Sequence, residues 1–129
     1  MENQYTELYG KLGEFAPDNL IAGIEITPII KGVVLGPDLG YVARGTVLGL
    51  NEDGTCAPVD SEADDGSEAP YAILAAGVAT DETLMSAAEA YFTGVFNAKA
   101  LIFGGDDTIA LHEAALRALG IHVKTNVPY

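Results

Sequence analysis

Fifteen glycines and six prolines break the apolar residues of this 129-residue chain into short runs, and that punctuation constrains the fold more than any other feature. Short apolar runs bounded by turn residues read as strands, whereas helices need longer periodic stretches. Residues 21–30 are apolar, but Pro28 lacks an N–H and argues for an edge or irregular strand. Residues 41–50 look like one strand with Gly45 as a bulge. Residues 51–55 form a turn, with Asp53-Gly54 supplying the positive-φ positions of a tight hairpin, and residues 56–59 form its return strand. Residues 71–78 are continuously apolar, which suits a strand buried on both faces. Residues 81–88 read as connecting structure with a helical turn. Residues 89–96 read as a strand bent at Gly94, residues 101–103 as a short one, and residues 121–127 as a last strand with alternating faces.

One stretch escapes the punctuation. Residues 109–119 are rich in helix formers. Asp106, Asp107 and Thr108 offer an N-cap and negative charge at the positive end of the helix dipole. Gly120 stands where a left-handed C′ residue is wanted, Ile121 can fold back on Leu116, and Arg117 complements the negative end. Seven or so strands and this one short helix in the C-terminal half predict a mainly β chain, a small barrel-like domain. The length suits one domain able to bury its own core without a disulfide or metal, and the single Cys56 agrees.

Nineteen acids against six bases give a formal charge of −13. Six scattered bases make no phosphate footprint, and an anionic lipid surface would repel the chain, so neither nucleic acid nor membrane is an expected partner. The first ten residues carry neither a basic nor an apolar signal-peptide region, and no apolar run approaches the ~20 residues of a membrane helix. A soluble protein made in a cytoplasm is expected. Yet 49% of the residues are hydrophobic and mean hydropathy is positive. That combination predicts a wet acidic surface and an apolar one buried against sibling copies or a partner.

Residues 1–20 read as an arm preceding a domain at 21–129. Tyr5, Leu8, Tyr9 and Leu12 share one helix face, while Gly10, Gly13 and Pro17 weaken or end any helix. An arm that orders on a partner and a terminal segment packed on its own domain both fit this pattern. Residues 60–69 form an acidic loop with Asp60, Glu62, Asp64, Asp65 and Glu68 around Gly66, expected to be exposed. The loop lacks the sixth-position glycine and the closing glutamate of a calcium loop.

No catalytic constellation emerges, and no catalytic, cofactor or metal residue is assigned. Cys56 follows a turn and matches no nucleophile signature, so a small buried hydrophobe is its expected role. His112 and His122 stand ten apart on a helix and a strand, without zinc spacing. Gly104-Gly105 before a helix resembles an anion-binding turn, but Asp106 and Asp107 would repel phosphate.

Five segments, read in order, resemble the bacteriophage lambda-type head decoration proteins. They are Arg44-Gly-Thr-Val-Leu-Gly49, Pro58-Val-Asp60, Pro70-Tyr-Ala-Ile-Leu-Ala75, Ala90-Tyr-Phe-Thr-Gly-Val-Phe-Asn97 and Ala115-Leu-Arg-Ala-Leu-Gly-Ile-His-Val-Lys124. They span roughly residues 40 to 124; Val95 and residues 75–79 depart from the family's usual acidic residues there. The resemblance implies a β-rich "tulip" domain that forms homotrimers on the outer capsid surface, where major capsid subunits meet. It also implies binding after shell expansion, resistance to the pressure of packaged DNA, and an N-terminal arm that orders on the shell. On that reading Tyr5, Leu8, Tyr9, Leu12 and Phe15 are the candidate capsid anchors, and the protein is no enzyme. Two rivals are a small-ligand module or enzyme with sites between subunits, in which carboxylates meet His112 or His122, and a carbohydrate-binding surface using Tyr41, Tyr71 and Tyr91.

Overall fold

The computed structural model describes residues 20–23 and 26–124. Its organising element is β8 (Ser86–Asn97), a strand of twelve residues along which most of the sheet is assembled. Before it come β1 (Ile21–Gly23), β2 (Ile29–Leu35), β3 (Tyr41–Val42), β4 (Val47–Leu50), β5 (Cys56–Pro58), β6 (Pro70–Leu74) and β7 (Val78–Ala79). A 3-10 turn (Ala98–Ala100), helix α1 (Ile109–Ala118) and β9 (Ile121–Lys124) follow it. The expectation of a mainly β, barrel-like fold with one short helix holds.

The first half of β8 pairs antiparallel with β2, from Ser86 opposite Leu35 to Tyr91 opposite Ile30. Its middle pairs with β6 on the other side, Ile73 against Tyr91 and Leu74 against Ala90. β6 pairs with β4, β4 with β5, and β5 meets β2 at Leu35, which closes a five-stranded barrel. The last residues of β8 leave the barrel and run between β1 and a parallel β9.

Side-chain alternation along the strands sorts the core into two parts. Ala72 and Leu74 of β6 join Leu35, Leu48, Cys56 and Ala90 in one cluster, while Ile73 between them joins Val47, Tyr91 and Phe96 in the other. β6 is therefore buried on both faces, as its unbroken apolar sequence predicts. The second cluster is completed by Leu116 of α1 and Ile121 of β9, both buried. Gly120, at φ +93°, reverses the chain between them, as the helix-end pattern predicts.

Several boundaries differ from the sequence reading. Residues 41–50 are two strands: Gly45, at φ +95°, makes a turn rather than a bulge, and Thr46 Oγ1 donates to Ala43 O within it. Residues 71–78 do not run on as one strand, because β6 ends at Leu74 and β7 pairs separately with β3. In the 51–55 turn only Gly54 takes positive φ, since five residues separate Leu50 from its partner Cys56. Residues 101–103 make an isolated bridge from Ile102 to Thr46 and not a strand. β8 starts at Ser86, inside residues read as connecting structure: Ser86, Ala87 and Ala88 are weak strand formers held by β2. Thr108 is the helix N-cap but makes no side-chain capping bond, and Asp107 is engaged elsewhere. Strand β9 is described to Lys124, so the predicted continuation to 127 lies outside the described residues, as do residues 1–19 of the arm; Leu20 is buried in the core.

Candidate functional site

The two ends of β8 mark two poles of the molecule. At one end, Asn97 is fully buried and its N–H donates to Leu20 O at 2.8 Å, while Lys124 of β9 lies in register beside it. The described chain therefore begins and finishes on either side of Asn97. Asn97 Oδ1 accepts from Lys99 N at 3.1 Å, which opens the 3-10 turn and leaves Lys99 exposed at this end. Lys99 and Lys124 are two of only six bases in the chain.

The other end, where Ser86 meets Leu35 and Leu35 meets Cys56, is acidic. Glu52 and Asp53 occupy the β4–β5 turn, Glu52 N donates to Asp65 O, and Asp38 N donates to Asp81 O. Three short turns stiffen these loops. Asp53 accepts from the N–H and hydroxyl of Thr55, Asp65 from those of Ser67, and Asp81 from Thr83 and Leu84 N. Each set of donors favours the ionised form and holds its carboxyl below the usual aspartate range. Of the acidic loop, Glu62, Asp64, Asp65 and Glu68 are exposed as expected, Asp60 only partly. Among the described residues no three His, Cys, Asp or Glu side chains are grouped so as to hold a metal ion.

Asp107, His112 and Ser61 converge at the first turn of α1. Asp107 accepts from Ser61 N and Ser61 Oγ, each at 2.7 Å, and its Oδ2 lies 2.7 Å from His112 Nε2. His112 is buried and stacks on Phe103 with 5.7 Å between ring centroids. The serine hydroxyl is bonded to the carboxylate and not to the imidazole, so the serine–imidazole contact of an activated nucleophile is not formed. The arrangement ties the acidic loop to the helix. Ser61's part is invisible in the sequence, because it depends on a contact across 46 residues.

The remaining candidates are scattered. Cys56 is buried, and burial pushes its thiol up to about 11. His122 is half-buried on β9, in register with Val95. Tyr91 lies in the core, and its hydroxyl accepts from Arg44 Nη1 at 3.0 Å. Tyr71 is half-buried edge-on against Phe92, whereas Tyr41 is 70% exposed. The three tyrosines form no common stacking platform. The arm candidates Tyr5, Leu8, Tyr9, Leu12 and Phe15 lie outside the described residues.

A family model for the bacteriophage lambda head decoration protein D matches residues 11–123. The chain belongs to that family. No individual curated protein matches it. The family is a structural one of the phage virion, and capsid decoration is the role it brings. In this decoration protein the resembling segment 44–49 makes two close backbone approaches. Gly45 faces Ala100 O, where a Cβ would stand 2.7 Å away, and Gly49 lies against the backbone of Ser67. Gly94, at φ +143°, bends β8 out of the barrel toward Asn97. The family pattern in these segments thus describes how the barrel packs.

Proposed function

We propose that this decoration protein binds as a homotrimer to the outer surface of the expanded phage head, where major capsid subunits meet, and holds the shell against the pressure of packaged DNA. One observation carries the reading beyond the family's general role: Leu20 and Lys124 flank Asn97 at the pole bearing Lys99, away from the acidic turns. An arm of residues 1–20 joined at that pole faces the shell, with Tyr5, Leu8, Tyr9, Leu12 and Phe15 as anchors. The acidic loops then point to solvent and keep coated particles apart by charge. The protein is made in the host cytoplasm and acts by binding alone, without catalysis.

Three arms on one trimer convert weak single contacts into avidity of ~10²–10⁴ when the geometry fits. Strand addition to a capsid edge uses main-chain bonds and asks for no strict arm motif. A ligand that binds only the expanded shell stabilises it by mass action, about 2.7 kcal/mol at a hundredfold excess over Kd. Co-sedimentation with expanded, undecorated capsids tests this. Deleting residues 1–19, which spares the core residue Leu20, is expected to abolish binding and leave the barrel folded. Full occupancy by the shortened chain would refute the arm's role.

A further inference from the structure

The chain contains two Asp-Gly steps, Asp53-Gly54 and Asp65-Gly66, and no Asn-Gly step. Asp-Gly is the aspartyl sequence most prone to rearrange, because glycine sets no side chain between its nitrogen and the neighbouring carboxyl. The glycine nitrogen attacks Cγ, a C–N bond forms, a carboxyl C–O bond breaks and water leaves, giving a cyclic imide. Solvent water then opens the ring at either carbonyl. Addition at Cγ restores aspartate. Addition at the backbone carbonyl leaves isoaspartate, of unchanged mass, with an extra methylene in the main chain.

Both steps stand in water: Asp53, Gly54 and Asp65 are exposed and Gly66 is half-buried. Yet both are held in the same way. Asp53 Oδ1 accepts from Thr55 N at 2.9 Å and from Thr55 Oγ1 at 2.7 Å. Asp65 Oδ1 accepts from Ser67 N at 3.0 Å and from Ser67 Oγ at 2.6 Å. The attacking nitrogens are occupied as well, since Gly54 N donates to Asn51 O and Gly66 N to Glu68 Oε1, each at 3.0 Å. Thr55 and Ser67 are themselves buried, so their hydroxyls are anchored.

Ring closure asks for a different arrangement. It carries Cγ toward eclipsing the aspartate's own carbonyl carbon, away from a staggered rotamer, and it needs the glycine N–H free to lose its proton. Every one of these hydrogen bonds opposes that movement. The same donors favour the carboxylate, whereas the protonated carboxyl is the form that expels water. We propose that the hydroxyls of Thr55 and Ser67 lock the two Asp-Gly steps of the acidic pole against imide formation and so against isoaspartate. A particle outside its host does not replace its coat, so a virion protein keeps its original aspartates only by such restraint. The inference rests on the family and on neither the trimer nor the arm.

Ageing the full chain at neutral pH, in buffer and in urea, tests the lock. Cleavage after Glu52, Glu62 and Glu68 puts the two sites on separate peptides, and isoaspartyl methyltransferase labelling counts the product in each. The folded chain is expected to gain isoaspartate about tenfold more slowly, or slower still, than the urea-unfolded chain at both sites. Thr55→Val removes one charge-assisted bond and is expected to speed residue 53 about tenfold while leaving residue 65 unchanged; Ser67→Ala does the converse. Thr55→Ser keeps the hydroxyl and is expected to age as the wild type does. Equal rates in buffer and in urea overturn the proposal, and that comparison needs no variant to fold. So does a Thr55→Val chain that ages no faster than Thr55→Ser at residue 53, or single variants that age alike at both sites.

Discussion

His112 Nε2 lies 2.7 Å from Asp107 Oδ2, and only 5% and 4% of the two side chains is exposed. An ionised carboxylate is an acceptor only, so the imidazole donates from Nε2. With both Ser61 donors on the same carboxylate, this contact fastens the start of α1 to the acidic loop.

Acid is expected to loosen that junction. The hydrogen bonds from His112 first, then Ser61, hold the Asp107 carboxyl below its ordinary value of 3.8. A carboxylate with a depressed folded pKa contributes stability that is complete above the unfolded value and disappears as pH falls through the folded one. Asp53, Asp65 and Asp81 are shifted the same way by their turn donors. Melting temperature followed from pH 6 to pH 2.5 is expected to stay level above pH 5 and fall below pH 4. Asp107→Asn is expected to lower it at neutral pH and flatten the acid slope. A variant with the same slope as the wild type would show that Asp107 has no part in it.

Leu116 joins α1 to the second core cluster and is fully buried. Leu116→Ala removes that contact and leaves a cavity, an expected loss of about 2–5 kcal/mol. Urea denaturation measures it as a lower midpoint at unchanged slope. Leu111→Ala, at a residue of the same helix that is 60% exposed, is the control and is expected to change stability by less than about 0.5 kcal/mol.

Cys56 is expected to be inert in the native protein. The thiolate is the reactive form, and a thiol raised to about 11 with 1% of its residue surface exposed supplies almost none at pH 8. A thiol-specific chromogenic reagent should react with one equivalent per chain in urea and with almost none without it. Rapid native labelling would mean that β5 opens readily.

Gly49 should tolerate no side chain. Its φ is unexceptional, but a Cβ there would run into the backbone of Ser67, which cannot rotate away as a flexible side chain does. Gly49→Ala is expected to cost about 1–3 kcal/mol by overpacking, read by thermal or chemical melting. Gly54→Ala has open space for its Cβ but sits at φ +91°, so backbone strain alone is its penalty.

What the sequence alone determined is local in origin. The α1 helix, its Gly120 stop and the fold-back of Ile121 onto Leu116 follow from residues within one or two turns of each other. The double burial of β6 follows from a run with no polar gap, and the exposure of the acidic loop from like charges that hydrate better than they pack. The family was legible in five ordered segments, and glycines within them at 45, 49, 94 and 120 hold positions too narrow or too twisted for a side chain. Tertiary structure decided whatever depends on partners distant in the chain. Ser86, Ala87 and Ala88 are strand only because β2 lies beside them, more than fifty residues back. Likewise Ser61 meets Asp107, and Leu20 meets Asn97, through tertiary packing and not through spacing. Propensity and periodicity act over a few residues, whereas the pairing that builds a pole or a locked loop is set by which segments the folded chain makes neighbours.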